Sequence, residues 1–428
     1  MKRRACRAVS VIALVIAALL PPPGQALAAR RQAPNPAPAL SQVRVLEGRP
    51  APFVLDAKAA MLVPADYSAP LYAYNEHERM QPASLAKLMT FYITLKMLKQ
   101  RRITLETPVT VSEAAWRLSV SRSISKMFLE VGQRVTIRDL LFGLMVSSGN
   151  DAAFAIAEYI GGSAQAFVAM MNDECRTLGL TETHFENPDG LPAPDQYTTA
   201  ADMAKLGSLI LSRFPEALTY TATKEFTFHA ITQRNWNTLL FYDSRVDGLK
   251  TGHVEEAGYH LVASAHANNM GLIAVVMGAP NAERRRLETE KLLDWGFRTF
   301  APASPDWHRV APSQIAVYEG TANTVDIAPA SAPVAIVFKE EVKEVKLSAV
   351  LDASYLVAPV KQRTKVGMLT LSRGDTVINQ IPLITQAAVA KGGFFTTMVG
   401  RLKLLVVVLL GGVSALIGRL LHSIVSVV

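Results

Sequence analysis

A chain of 428 residues, half of them apolar and 19% charged, is longer than one ordinary domain and too rich in core-forming residues to be disordered. Its formal charge of +8 would suit nucleic acid in the cytosol, but several cations sit near the two termini, which points instead to anionic envelope polymers or lipid headgroups. Outside the first residues the chain has a single cysteine, Cys175, so an intrachain disulfide is excluded, and its apolar helical neighbours Phe167, Met171 and Leu178 mark it as a core thiol.

The chain opens with Lys2, Arg3, Arg4 and Arg7, an apolar run from Val9 to Leu20, and Ala26-Leu27-Ala28. That order predicts a secretory signal over 1–28 rather than a membrane anchor, because the run falls short of the roughly twenty residues that span a bilayer. A Pro- and Ala-rich linker is expected over 29–47. From 48 to 302 the pattern is mixed α and β. Ala59–Pro64 and Leu71–Tyr74 read as a hairpin, Ser84–Lys99 as a helix, and Asp151–Ile160 as a helix paired with another from Ser163 to Gly179. Strand-like runs return at Val246–Thr251, Tyr259–Ala265 and Gly271–Gly278, before a helix near Ala282–Phe297. Strands at both ends of this region with helices between them predict one sheet closed by the two ends. Short β runs from 310 to 388 predict a small all-β sandwich. The segment 393–428 is the most apolar of the mature chain and predicts a membrane-associated helix, either lying in the interface or spanning.

Three short patterns carry chemistry. In Ser84-Leu85-Ala86-Lys87, residues three apart share a helix face, so the hydroxyl and the amine can meet. A serine is a poor nucleophile until a base takes its proton, and a lysine can act so when desolvation and nearby cations keep it partly neutral. Taken alone the pattern is common and reads equally as a cap and a solvated charge. Ser148-Gly149-Asn150 follows an apolar run and opens the Asp151 helix, where its plain reading is N-capping. Lys250-Thr251-Gly252 ends a β run with a glycine that lets a substrate approach the backbone.

In that order, S-x-x-K, S-x-N and K-T-G resemble the signature of active-serine penicillin-interacting enzymes. The runs NPDGL (187–191), QYTTAADMAKL (196–206), VDGLKTGHVEEAGYHLVASA (246–265) and KLLDWGF (291–297) extend the resemblance to the low-molecular-mass penicillin-binding proteins, D-alanyl-D-alanine carboxypeptidases of serine peptidase family S11. It covers nearly the whole mature chain. It implies an α/β (α+β) penicillin-binding, β-lactamase-like transpeptidase fold with a small C-terminal β-sandwich and a membrane-associated C-terminal helix. It also implies that Ser84 attacks the bond between two terminal D-alanines of a peptidoglycan stem peptide, with Lys87 as base and Ser148 relaying a proton to the departing D-alanine. Backbone N–H groups of Ser84 and His253 would form the oxyanion hole. Asn150 would hold the substrate amide and Lys250 the charge state of the site, Gly252 would let the substrate approach the backbone, and Thr251 and Arg285 would meet the free carboxylate. No metal or organic cofactor is implied, and His184 and His253 lack metal-ligand spacing. β-Lactams would be covalent inhibitors, and the protein would work at the periplasmic face of the inner membrane.

The chain departs from the family at Ala201, where many relatives carry an arginine before the Asp-Met pair, which bears on how the carboxylate pocket is completed. A class A β-lactamase would use the same motifs plus a deacylating carboxylate, for which Glu186 is the candidate. A D,D-endopeptidase and a non-catalytic wall-binding scaffold are the remaining alternatives.

Overall fold

The computed structural model describes residues 42–50 and 52–405. The expected signal, most of the linker and the apolar tail beyond 405 lie outside these residues. Among them, no single helix is long and apolar enough to cross a membrane.

The central element is a six-stranded sheet that joins both ends of the larger region. Val43–Val45, Tyr72–Tyr74 and Ala59–Pro64 occupy one half, and Met270–Ala279, Gly258–Ala267 and Val246–Val254 the other, in that spatial order. The seam is the antiparallel pairing of Ala59–Pro64 with Met270–Ala279, which sets Val275 against Met61. The first strand is a departure from the sequence reading, since Val43–Val45 was expected in the linker. Its buried valines, either side of an exposed arginine, fit the two-residue period of a half-covered edge strand.

Side chains leave this sheet alternately to its two faces, and two separate cores result. Met61, Val63, Ile273, Val275 and Val262 join one cluster with the helices Lys87–Lys99, Ile137–Met145, Asn150–Gly161 and Ala200–Arg213. Ala60, Leu62, Leu272, Ala274 and Leu261 join the other with the Ala282–Thr299 helix through Leu292, Leu293 and Trp295. The expected Ser163–Gly179 helix is present as Ala164–Leu178, capped by the Ser163 hydroxyl and ended by Gly179 at φ +67°. Cys175 lies in the first core, and burial pushes its thiol up to about 12.

The small all-β part is a second six-stranded sheet that shares its core with a two-stranded ladder. That ladder pairs Phe300–Ala303, directly after the last helix of the larger part, with Ala335–Phe338. The sequence reading stopped at the helix and missed this strand. An ion-pair cluster reinforces the junction: Glu341, 7% exposed, takes both Arg49 and Arg373, Arg373 also meets Glu47, and the Arg49 guanidinium lies 3.7 Å from the Phe338 ring centroid.

Replacing Glu341 by Gln removes the carboxylate that joins the two arginines, leaving Arg49 with Glu340 and Arg373 with Glu47. Since both arginines reach solvent and keep a second carboxylate, the cost should stay well below that of breaking a fully buried pair. A calorimetric scan should show a lower Tm for Glu341→Gln, and an unchanged Tm would remove the cluster from the account of the junction.

Candidate active site

The expected helix from Ser84 begins instead as a 3-10 turn, Ala83–Ala86, and becomes α-helical only at Lys87. In a 3-10 turn residues three apart eclipse each other, which aligns Ser84 and Lys87 more directly than an α-helix would. Lys87 Nζ lies 2.9 Å from Ser84 Oγ. Ala83, just before the serine, has φ +48°, a left-handed conformation that costs a non-glycine residue about 1–2 kcal/mol.

Two glycines allow the surrounding chain to hold this turn. A Cβ on Gly190 would fall 1.7 Å from the Ala83 carbonyl oxygen, and one on Gly252 3.1 Å from that of Pro82. The Asp189–Gly190 loop and the KTG strand therefore press directly on the turn. From below, His260 Nε2 donates to the Gln81 carbonyl at 3.1 Å while its Nδ1 accepts from the Gly278 N–H at 2.9 Å. Those two partners fix the tautomer, and complete burial lowers the imidazole to about 4, so it stays neutral.

Lys87 is fully buried, with Asn150 Oδ1 and the Asp189 carbonyl each 2.6 Å from its nitrogen. Burial brings it down to about 8 against the pull of Asp189 and Asp151. Lys250 is also buried, 2.9 Å from Ser148 Oγ, and is lowered well below an ordinary lysine by burial first and then by the charges of Lys87 and Arg285.

Ser148 does not cap the Asn150–Gly161 helix, as its plain sequence reading allowed. Gly149 occupies the cap position without a side-chain bond, and Ser148 has φ +55°. Its loop is instead secured by Asp151, whose buried carboxylate accepts from the N–H groups of Met127, Leu129 and Ala152 at 2.9–3.2 Å and from the Ser119 hydroxyl at 2.6 Å.

Arg285 is 5% exposed in the first turn of the Ala282–Thr299 helix. Its Nη2 donates to the Trp236 carbonyl at 3.2 Å, its Nε is buried without a partner, and no carboxylate pairs with it among the described residues. Burial lowers it to about 10.

Seven of the nine residues singled out in the sequence line one cleft of about 620 Å³: Ser84, Ser148, Asn150, Thr251, Gly252, His253 and Arg285. Lys87 and Lys250 sit behind it, in reach of Ser84 and Ser148. His253 is exposed there and stacks on Tyr259. Ala201 does not line the cleft, and its N–H donates to the Glu76 carbonyl at 3.0 Å. Glu186 is exposed and also outside the cleft lining, which leaves the β-lactamase alternative without its carboxylate. Sequence reasoning missed Asp151, the Asp189 carbonyl, His260 and Trp236. A buried Asp inside an otherwise apolar helix start was a usable signal for the first, whereas the others depend on contacts across the fold.

The comparisons agree with this geometry. Residues 47–281 match the family model described as D-alanyl-D-alanine carboxypeptidase, and 308–391 the model described as penicillin-binding protein 5, C-terminal domain. D-alanyl-D-alanine carboxypeptidase DacC of Escherichia coli is 40% identical over 80% of this chain and 86% of its own length. Penicillin-binding protein 5 of Haemophilus influenzae superposes with a TM-score of 0.67 at 37% identity, over 80% of this chain and 99% of that one. Penicillin-binding protein D2 of Listeria monocytogenes, solved in a cefotaxime-bound form, gives 0.53 at 28% identity over 58% of this chain and all of that one. With a serine lining the cleft, a desolvated lysine behind it and these matches across both parts, the chain belongs to the S11 peptidase family, the D-alanyl-D-alanine carboxypeptidases.

Proposed function

We propose that the protein removes the terminal D-alanine from peptidoglycan stem peptides through an acyl-enzyme on Ser84. A neutral amine has two N–H groups and one lone pair. Asn150 Oδ1 and the Asp189 carbonyl accept the two N–H groups of neutral Lys87, so the lone pair is left for the Ser84 hydroxyl. With the amine near 8, about a quarter of the molecules carry it neutral at pH 7.5, against about 0.1% for an ordinary lysine.

Ser84 Oγ gives its proton to Lys87 and bonds to the carbonyl carbon, and the oxyanion forms facing the Ser84 and His253 N–H groups. As the C–N bond breaks, Ser148 donates its hydroxyl proton to the leaving amine and regains one from Lys250, 2.9 Å away; the proton that Lys87 took from Ser84 then replaces the one Lys250 gave, so Lys87 is a free base again. Asn150 has spent its carbonyl on Lys87, and its NH2 group holds the substrate amide. Water then attacks the ester, with Lys87 again accepting a proton, and restores Ser84.

The observation that carries this reading is Arg285: a buried guanidinium with an unpartnered N–H and no carboxylate partner among the described residues, on the wall of the cleft that Ser84 also lines. A buried cation needs a counter-charge, and the C-terminal carboxylate of the leaving residue supplies it. A β-lactam presents an amide and a carboxylate in the same relation and acylates Ser84 in the same way.

We further propose that the protein is exported and held at the periplasmic face of the inner membrane by its C-terminal segment. The helix at 394–405 turns Gly400 onto Glu319 and leaves Phe394, Phe395, Met398, Leu402 and Leu405 exposed, at spacings of three to four residues, near Arg401 and Lys403. That is the pattern of a helix seated in a lipid interface.

Release of D-alanine from a peptide ending in D-alanyl-D-alanine, followed with a D-amino-acid oxidase, is expected for the wild type. It should fall at least about 1,000-fold in Ser84→Ala and vanish when the peptide's carboxylate is blocked as an amide. Release surviving in Ser84→Ala would refute the serine mechanism; splitting of a crosslinked dimer into its two stem peptides with no D-alanine release from the linear peptide would make the protein an endopeptidase. For the tail, Phe394→Asp with Leu402→Asp should weaken sedimentation with vesicles containing anionic phospholipid, and unchanged sedimentation would remove this helix from the anchor.

A further inference from the structure

We infer that Trp236 reads the side chain of the leaving amino acid, and so sets which C-terminal residue the site releases. The inference rests on the carboxypeptidase reading above and deepens it.

Trp236 is 55% exposed yet lines the cleft, an unusual state for a large aromatic side chain. It is not exposed because its loop is loose. The flanking Asn235 and Asn237 are 4% and 1% exposed. Asn235 donates to the Thr223 carbonyl at 2.9 Å and accepts from the Asn237 N–H at 2.9 Å, while Asn237 donates to the Gly248 carbonyl at 3.0 Å. Those bonds fasten the segment to the strand that carries Lys250 and Thr251.

The ring itself is pinned, because the indole N–H donates to the Ser147 carbonyl at 3.2 Å. At its other end the Trp236 carbonyl accepts from Arg285 at 3.2 Å. One residue thus bridges Ser147, the chain neighbour of the Ser148 that protonates the leaving nitrogen, and Arg285, which takes the leaving carboxylate. The carbon between those two groups bears the side chain of the leaving residue. A fixed, half-exposed indole beside it is a preorganised apolar wall whose remaining surface a small methyl can cover. Loss of one such contact in an apolar pocket typically costs about tenfold or more in kcat/KM.

The test uses the full protein and two peptides identical except for the last residue, D-alanine or glycine. The wild type should favour the D-alanine peptide about tenfold in kcat/KM, Trp236→Ala should cut that ratio to about twofold, and Trp236→Phe should keep most of it. Labelling of Ser84 by a fluorescent penicillin confirms that each variant is folded; if Trp236→Ala takes no label, Trp236→Leu is read in its place and should give an intermediate ratio. A labelled variant that retains the wild-type ratio, or a wild type without preference, overturns this inference alone. A wild type that cleaves neither peptide overturns it together with the reading of the site beneath it.

Discussion

Every feature of the site depends on keeping water from one ammonium group. Lys87 is fully buried, its close partners among the described residues are neutral oxygens, and Lys250, which feels its charge, is itself buried. Desolvation of this kind opposes folding. An unfolded Lys87 binds its proton up to about 10.5 and the folded one only to about 8, so the penalty is full below pH 8 and fades as pH rises through that window. It amounts to roughly 3 kcal/mol, a large share of an ordinary domain's net stability. The two cores on either face of the sheet offset it, and they are the reason a small polar cavity can be held this dry.

Strain is distributed in the same way. Ala83 and Ser148, each in a left-handed conformation, flank the two motifs that meet over the cleft. Each is over-determined from several sides. Gly190 and Gly252 let backbone press on the Ala83 turn, His260 ties the preceding carbonyl to the sheet, and Asp151 clamps the chain around Ser148. A serine and a lysine set by helix spacing alone would wander by the rotamers of both side chains. Fixing them from the sheet, the loop and the neighbouring helix turns spacing into geometry.

Much of this was legible in the sequence because periodicity and local spacing carry it. The unbroken apolar run in Gly271–Gly278 announces a strand with two buried faces, and S-x-x-K announces a serine and a lysine in reach. Contacts between distant segments were not legible. Nothing around His260 says that it will lie under Gln81, and nothing in the run Arg284-Arg285-Arg286 says that only the middle residue will be buried in the cleft wall. The left-handed Ala83 escaped for a related reason, since alanine carries no local preference for that conformation and only the packing of two distant glycines enforces it. Val43–Val45 and Phe300–Ala303 were missed because strands of three or four residues gain their identity from partners far along the chain.

The most direct test of the desolvated base is the pH dependence of the rate at which a β-lactam acylates Ser84. With Lys87 near 8, the second-order rate should climb about tenfold per pH unit at acid pH and level off as the amine becomes neutral near pH 8. A rate that is flat from pH 6 to about 9.5, or that falls across that range, would contradict the account and require another base for Ser84.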